Sequence, residues 1–410
     1  MKLVTLLAAA TCSSAIIAQT TVTVTTGPSN AQQSFYSLQN GVMAGEDLAE
    51  WDLAFEMAGF TSSILVNTAK GINAYETSAT PDTWSSINAP DVANWTLIHN
   101  SETDWSTGAL NNGNDLIEPD GVNVGWGIYN IITHAIAGNK VYVLEFPDAT
   151  YRKLRIDVLA GGVFYFTYAN LDGTDEQSHT IVKANFTGKN FAYWNMSTHA
   201  PLDREPAAAN WDLLFTKYIG FVPTAYALAG VLQNKEVRVL QVDGVPTDLA
   251  DAWSGDYTAE INTIGADWKS FNMTTFQYEY VQDRTYFVKD RAGNLWKLIF
   301  TGYGGMATGD ITFTQELVSA TGIDEMAAVS AVIYPNPVRD GAVSLVLDAA
   351  SANITVSLVD LGGQVVNQQR IAQVNGLQQH QLNVGGLAAG LYTVRIQGDG
   401  INTATRLVIE

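Results

Sequence analysis

The chain has 410 residues with 21 basic and 41 acidic side chains, a formal net charge of -20 that repels phosphate backbones and anionic lipid surfaces and excludes nucleic acid as a partner. At 47% hydrophobic and 15% charged it is too apolar to stay disordered, and 35 glycines with 10% aromatic residues suit short strands and tight turns, an all-β fold. Its one cysteine, Cys12, lies in the leading segment, so the rest of the chain has no disulfide, thiol nucleophile or thiolate metal site.

In chain order, Lys2, the apolar run 3–10 and the small-residue exit Ala15-Ile16-Ile17-Ala18 read as a secretory signal peptide over residues 1–18, cleaved after Ala18. A membrane span needs about 20 uninterrupted apolar residues, and Thr11-Cys12-Ser13-Ser14 breaks this one.

Next comes an internal repeat. Trp51-Asp52-Leu53-Ala54-Phe55 returns as Trp211-Asp212-Leu213-Leu214-Phe215, and Phe35-Tyr36 precedes the first copy much as Tyr193-Trp194 precedes the second. Trp126-Gly127-Ile128-Tyr129-Asn130-Ile131 returns as Trp268-Lys269-Ser270-Phe271-Asn272-Met273, and residues 142–154 align with 286–298 without a gap. Two ordered blocks with matched internal spacing predict duplicated β modules over 19–180 and 181–322. The alternation of Trp51, Leu53 and Phe55 predicts half-buried strands, and each copy closes on aromatic strands around 163–168 and 311–314 after glycine-rich turns. Residues 203–209 suit a short helical turn, and no long amphipathic helix is predicted.

Residues 323–331 read as a linker, followed over 332–410 by short alternating strands separated by Gly362-Gly363 and Gly385-Gly386, the spacing of a small sandwich. Leu391, Val394 and Ile396 are candidates to fill its core.

Candidate chemistry is sparse. There is no His-Glu-x-x-His, Gly-x-Ser-x-Gly or phosphate-loop motif, so no enzyme is predicted. The repeated Trp-Asp pairs read as core tryptophans beside aspartates that bond loop backbone. The Asn111-Asn112-Gly113-Asn114-Asp115 run lacks calcium-loop spacing and reads as a solvated loop.

Two resemblances follow from these motifs. Tyr334-Pro335-Asn336-Pro337, Val359-Asp360-Leu361-Gly362-Gly363, Gly390-Leu391-Tyr392-Thr393-Val394 and Arg406-Leu407-Val408-Ile409 resemble the type A sorting domain of the Bacteroidetes type IX secretion system. That resemblance implies an immunoglobulin-like β-sandwich read by the secretion machinery, delivery through the periplasm to the cell surface or beyond, and attachment to surface lipopolysaccharide or release. The duplicated modules, through the Trp51 block, the Trp126 block with Thr133-His134 and the 142–154 block, are similar to the HmuY family of heme-binding proteins. It implies an all-β module holding heme, or another small hydrophobic ligand, between axial donors. His134 is the first candidate donor; its counterpart in the second copy is Phe276, which leaves Met273 and Met196 as donors there. Exposed-style aromatics such as Trp84, Trp95 and Trp105 fit that reading. The alternative is a structural or adhesive surface protein whose modules present loops to glycans or proteins.

Overall fold

The computed structural model describes residues 19–58, 61–113, 117–118, 121–221, 224–250, 255–319, 330–339, 341–360, 364–398 and 401–410. The expected signal peptide lies outside them, as do most of the expected linker and part of the Asn111–Asp115 run. The chain divides into two compact units, one up to Ser319 and one from Ala320. Both are built almost wholly from antiparallel strands; among the described residues the one α-helix is the single turn Gly305–Thr308. The helical turn expected at 203–209 is a 3-10 turn slightly later, Ala208–Asn210.

In the first unit the two sequence repeats form strand for strand as their motifs align. In the 142–154 block, Tyr142 pairs with Leu154 and Val143 with Lys153; in the second copy Tyr286 pairs with Leu298 and Phe287 with Lys297. The Trp126 and Trp268 blocks each make a hairpin, Gly127–Asn130 with Ala135–Gly138 and Lys269–Asn272 with Gln277–Tyr280. The first is absorbed into a ten-stranded sheet, and the second stands as a two-stranded sheet of its own.

Strand pairing crosses between the repeats. Phe191–Asn195, from the second copy, pairs with Leu53–Glu56 of the first, with Trp194 opposite Leu53. Gln32–Ser37, from the first copy, pairs with Leu213–Phe221 of the second, with Tyr36 opposite Leu213. Thr20–Thr25 likewise lies against Asp310–Ser319, while Gln177–Val182 lies against Val163–Asn170. The opening strands of each repeat thus complete the sheets of the other, and the boundary expected at 180/181 falls inside Gln177–Val182.

This exchange accounts for a departure from the expected half-buried strands. Leu53–Glu56 is buried on both faces. Leu53 and Phe55 enter a core with Trp126, Phe164, Phe166 and Trp194, whereas Ala54 packs with Trp51, Phe191 and Tyr193. Trp51 precedes the strand, so its ring turns to the face opposite Leu53. The second core mixes both ends of the unit: Val24, Tyr36 and Leu38 pack with Phe215, Trp268, Phe300 and Phe313.

The two halves meet along a seam of matched aromatic pairs. Tyr193 meets Trp51 edge-on at 5.2 Å, and its counterpart Phe35 meets Trp211 edge-on at 5.1 Å. Trp105 packs against both clusters and donates its indole N–H to the Gln233 carbonyl at 2.8 Å.

In the second unit, Ala342–Val359 pairs with Ser330–Tyr334, Val365–Asn383 and Gly390–Gly398, and the last of these with Ile401–Ile409. Tyr392, Val394 and Ile396 point into its core. Leu391 is 39% exposed: with a two-residue period it shares the outer face with Thr393 and Arg395, so it does not fill the core as expected. The Asn336 side chain clamps the final strand, donating to the Arg406 carbonyl at 2.8 Å and accepting from the Val408 N–H at 2.9 Å. That contact ties the Tyr334-Pro335-Asn336-Pro337 motif to the closing one.

Candidate functional site

The repeated polar residues hold the framework together. Asp52 accepts from the Met196 N–H at 2.7 Å and pairs with Lys70 at 2.7 Å; Asp212 accepts from the Leu38 N–H at 2.8 Å. Each aspartate therefore caps a turn contributed by the other repeat. Burial lifts the Asp212 carboxyl to about 6. Asn67 donates to the carbonyls of Leu48 and Trp51, and Asn234 to those of Ala208 and Trp211, the equivalent pair. Lys153, 2% exposed, donates to the carbonyls of Trp84, Ile87 and Leu171, and its counterpart Lys297 to that of Ala250. The reading of the Trp-Asp pairs as structural agrees with these contacts.

The three expected donors occupy different settings. His134 ends the turn between Gly127–Asn130 and Ala135–Gly138, exposed, at φ 55°, with Nδ1 2.8 Å from the Tyr129 hydroxyl. Asn130 Oδ1 accepts from the N–H groups of Ile132 and Thr133, which builds the turn. The same arrangement recurs where Asn195 precedes His199 (φ 53°) and where Asn272 precedes Phe276 (φ 55°). His134 thus sits where an Asn-x-x-Thr turn needs a left-handed residue, a position that Phe276 fills equally well. Met273 is 74% exposed in the equivalent hairpin, and Met196 is 1% exposed inside the first core. Among the described residues no three His, Cys, Asp or Glu side chains gather as a metal site. An exposed turn histidine and a core methionine do not form an enclosed apolar pocket with facing axial donors, so this arrangement does not fit heme. Of the exposed-style aromatics, Trp105 is half-buried in the seam, Trp84 lies 4.8 Å from both the Lys153 ammonium and the Arg155 guanidinium, and Trp95 packs at 6.0 Å from Tyr75.

Of the concavities in this unit, two have walls built from several aromatic side chains. One is a cavity of about 70 Å³ in the seam, lined by Trp51, Trp105, Tyr193 and Leu232. The other is an open cleft of about 1180 Å³ between the strand Ala225–Gln233 and the hairpin of Lys269–Asn272 and Gln277–Tyr280. None of the three expected donors lines either.

An aromatic wall bounds the larger cleft. Phe271 meets Tyr278 at 5.1 Å, and Tyr278 meets Tyr303 at 4.8 Å. Phe271 is 44% exposed, and Tyr226, across the cleft, 47%. Lys269 lies at the base, its ammonium 4.4 Å from the Trp268 ring and 4.7 Å from that of Tyr303, donating to the Ala229 carbonyl. Burial pulls the amine down to about 8, although Asp267 opposes the shift. Glu102, Glu260 and Asp267 supply acidic groups around the cleft. Sequence reasoning missed this site because its residues come from many separated segments, from Ser29 to Met306. The one signal available was Trp268-Lys269-Ser270-Phe271, noticed only as a repeat.

The family described as secretion system C-terminal sorting domain matches residues 332–410. No curated protein matches the chain. Among solved structures, the chain is similar at 10% identity to a C-terminally truncated trimeric ectodomain of the C. elegans fusion protein EFF-1, covering 66% of each chain, just under two thirds, with a TM-score of 0.16. So low a score carries no argument about fold or function. The C-terminal unit, with its Asn336 clamp and closing strand, is a type IX secretion sorting domain, which the secretion machinery recognises, and the protein travels through the periplasm to be secreted or displayed on the outer cell surface.

Proposed function

We propose that this is an exported, non-enzymatic binding protein whose repeat-built unit captures its ligand in the cleft beside the strand Ala225–Gln233. The observation that carries this reading is the aromatic wall of Phe271, Tyr278 and Tyr303, left partly open to solvent in a cleft that also offers a few convergent polar groups and a lysine perturbed by burial. A role in capture agrees with the HmuY-like motifs of both repeats, and attachment to surface lipopolysaccharide belongs to the same proposal. Heme as the cargo rests on the Thr133-His134 motif, and the turn geometry favours the cleft over it.

The test is titration of the mature chain with Nile red, a neutral apolar probe, and separately with hemin. Saturable dye fluorescence is expected, weakened by about fivefold when Phe271→Ser and Tyr278→Ser are combined, with the melting temperature retained. Hemin is expected to give no Soret band that depends on His134. Dye binding indifferent to the paired substitution, or a saturable Soret band lost in His134→Ala, would overturn the proposal.

A further inference from the structure

The strand Ala225–Gln233 is an edge: it pairs with Leu213–Phe221 on one side only. Alternation directs the backbone groups of residues 225, 227, 229, 231 and 233 away from that partner. The inner end of this edge is closed. Val231 exchanges hydrogen bonds with Gly265, and the Gln233 N–H donates to the Ile261 carbonyl at 2.7 Å. Gly230 permits this close approach, since a Cβ there would stand 2.4 Å from the Gly265 oxygen. The first repeat closes the equivalent edge with side chains: the Ile64 N–H donates to Asn111 Oδ1 and the Val66 N–H to Asn100 Oδ1.

Beyond Gly230 the repeats differ. The first repeat's strand is only Ile64–Val66, whereas the second continues outward to Ala225. This extension carries the open part of the edge. The Ala229 carbonyl accepts from Lys269, but among the described residues neither the Ala227 N–H and carbonyl nor the Ala229 N–H has a protein partner. Residues 225–229, Ala-Tyr-Ala-Leu-Ala, contain no proline, lysine or bulge of the kind that usually protects an edge. The open stretch faces the cleft, with the aromatic wall opposite.

We propose that this edge is a docking strand, on which an extended, neutral-to-basic polypeptide segment pairs with residues 225–229 and lays alternate side chains against Phe271, Tyr278 and Tyr303. The inference rests on the cleft reading and names the ligand's class. Donors and acceptors repeating every second residue along an edge match an extended peptide backbone, and saccharides and flat heterocycles lack that repeat. The charge preference follows from the carboxylates of Glu102, Glu260 and Asp267 outnumbering the ammonium groups of Lys217 and Lys269 around the cleft, and from the chain's net charge of -20.

Fluorescein-labelled peptides of about seven residues, alternating valine with lysine, threonine or glutamate, span such an edge at ~3.3 Å per residue. Titrated against the full mature chain and followed by anisotropy, the lysine and threonine peptides are expected to bind saturably, and the glutamate peptide about tenfold more weakly. Ala227→Pro removes an N–H that faces away from the sheet, a position where an edge strand tolerates proline, and is expected to weaken binding by about tenfold while the protein still melts cooperatively. Amide exchange at Ala227 and Ala229 is expected to slow when the lysine peptide is added. If Phe271→Ser with Tyr278→Ser abolishes peptide binding but Ala227→Pro and the amide exchange show no effect, the strand-pairing inference falls and the cleft reading stands. Failure of all three peptides beside normal Nile red binding has the same meaning.

Discussion

Glu205 is 2% exposed and accepts hydrogen bonds from the N–H groups of Asn190 at 3.0 Å and Phe191 at 3.2 Å. Burial nevertheless dominates and lifts its carboxyl from 4.5 to about 7. The folded state therefore holds this proton more tightly than the unfolded chain does. The resulting stabilisation is complete below about pH 4.5 and is lost as pH rises through about 7, with a magnitude on the order of 3 kcal/mol. Urea unfolding at pH 5 and pH 8 is expected to show greater stability at pH 5, with a smaller difference in Glu205→Gln; an unchanged difference would count against the assignment. Asp212, raised to about 6, keeps part of the dependence in that variant. At this scale the sequence was half legible. The core placement of Leu53 and Phe55 follows from alternation, whereas Trp51, expected on their side, packs with Ala54 on the other, and His134 drew attention as a donor when its place is set by an asparagine-built turn. Leu391 was misassigned by one step of a two-residue period.

At the scale of elements, the equivalence of the gapless 142–154 and 286–298 blocks was legible from matched motif spacing, and the structure gives both blocks the same pairing register. The partners of the opening strands were not legible. Strands 32–37 and 191–195 have equivalent sequences and can satisfy equivalent edges, so spacing alone does not say which copy each completes. The structure assigns each to the other copy, with Val24, Tyr36 and Leu38 buried in the second core. Removing residues 19–47 deletes the buried apolar side chains Val24, Phe35, Tyr36 and Leu38, worth about 1.5–3 kcal/mol each, along with the strand that covers Asp310–Ser319. The shortened protein is expected to lose cooperative melting of the second core, seen as loss of near-ultraviolet tryptophan signal from Trp268 and Trp296. A sharp, unshifted transition would refute the exchange.

At the scale of the whole molecule, the sorting domain was readable from motif order because its turns and closing strand are local. The first unit's wholeness was not, since it depends on contacts between its two ends: Thr20 lies opposite Gln315, and the Tyr36 hydroxyl donates to Gln315 at 2.8 Å. A circular permutant of this unit, begun at Leu48 and joined from Ser319 back to Gln19, turns those distant contacts into a local hairpin. It is expected to refold faster than the natural order with a similar unfolding midpoint, because closing long loops slows folding more than it alters stability. Equal refolding rates would show that closure is not the slow step. In the natural order the first strands made are the last to find their place. While the chain emerges from its N-terminus, Thr20–Thr25 waits unpaired until Asp310–Ser319 is made, and Gln32–Ser37, paired on one side with Gly41–Asp47, keeps its other edge open until Leu213–Phe221 arrives; the exporting cell has to keep those waiting edges from joining one another.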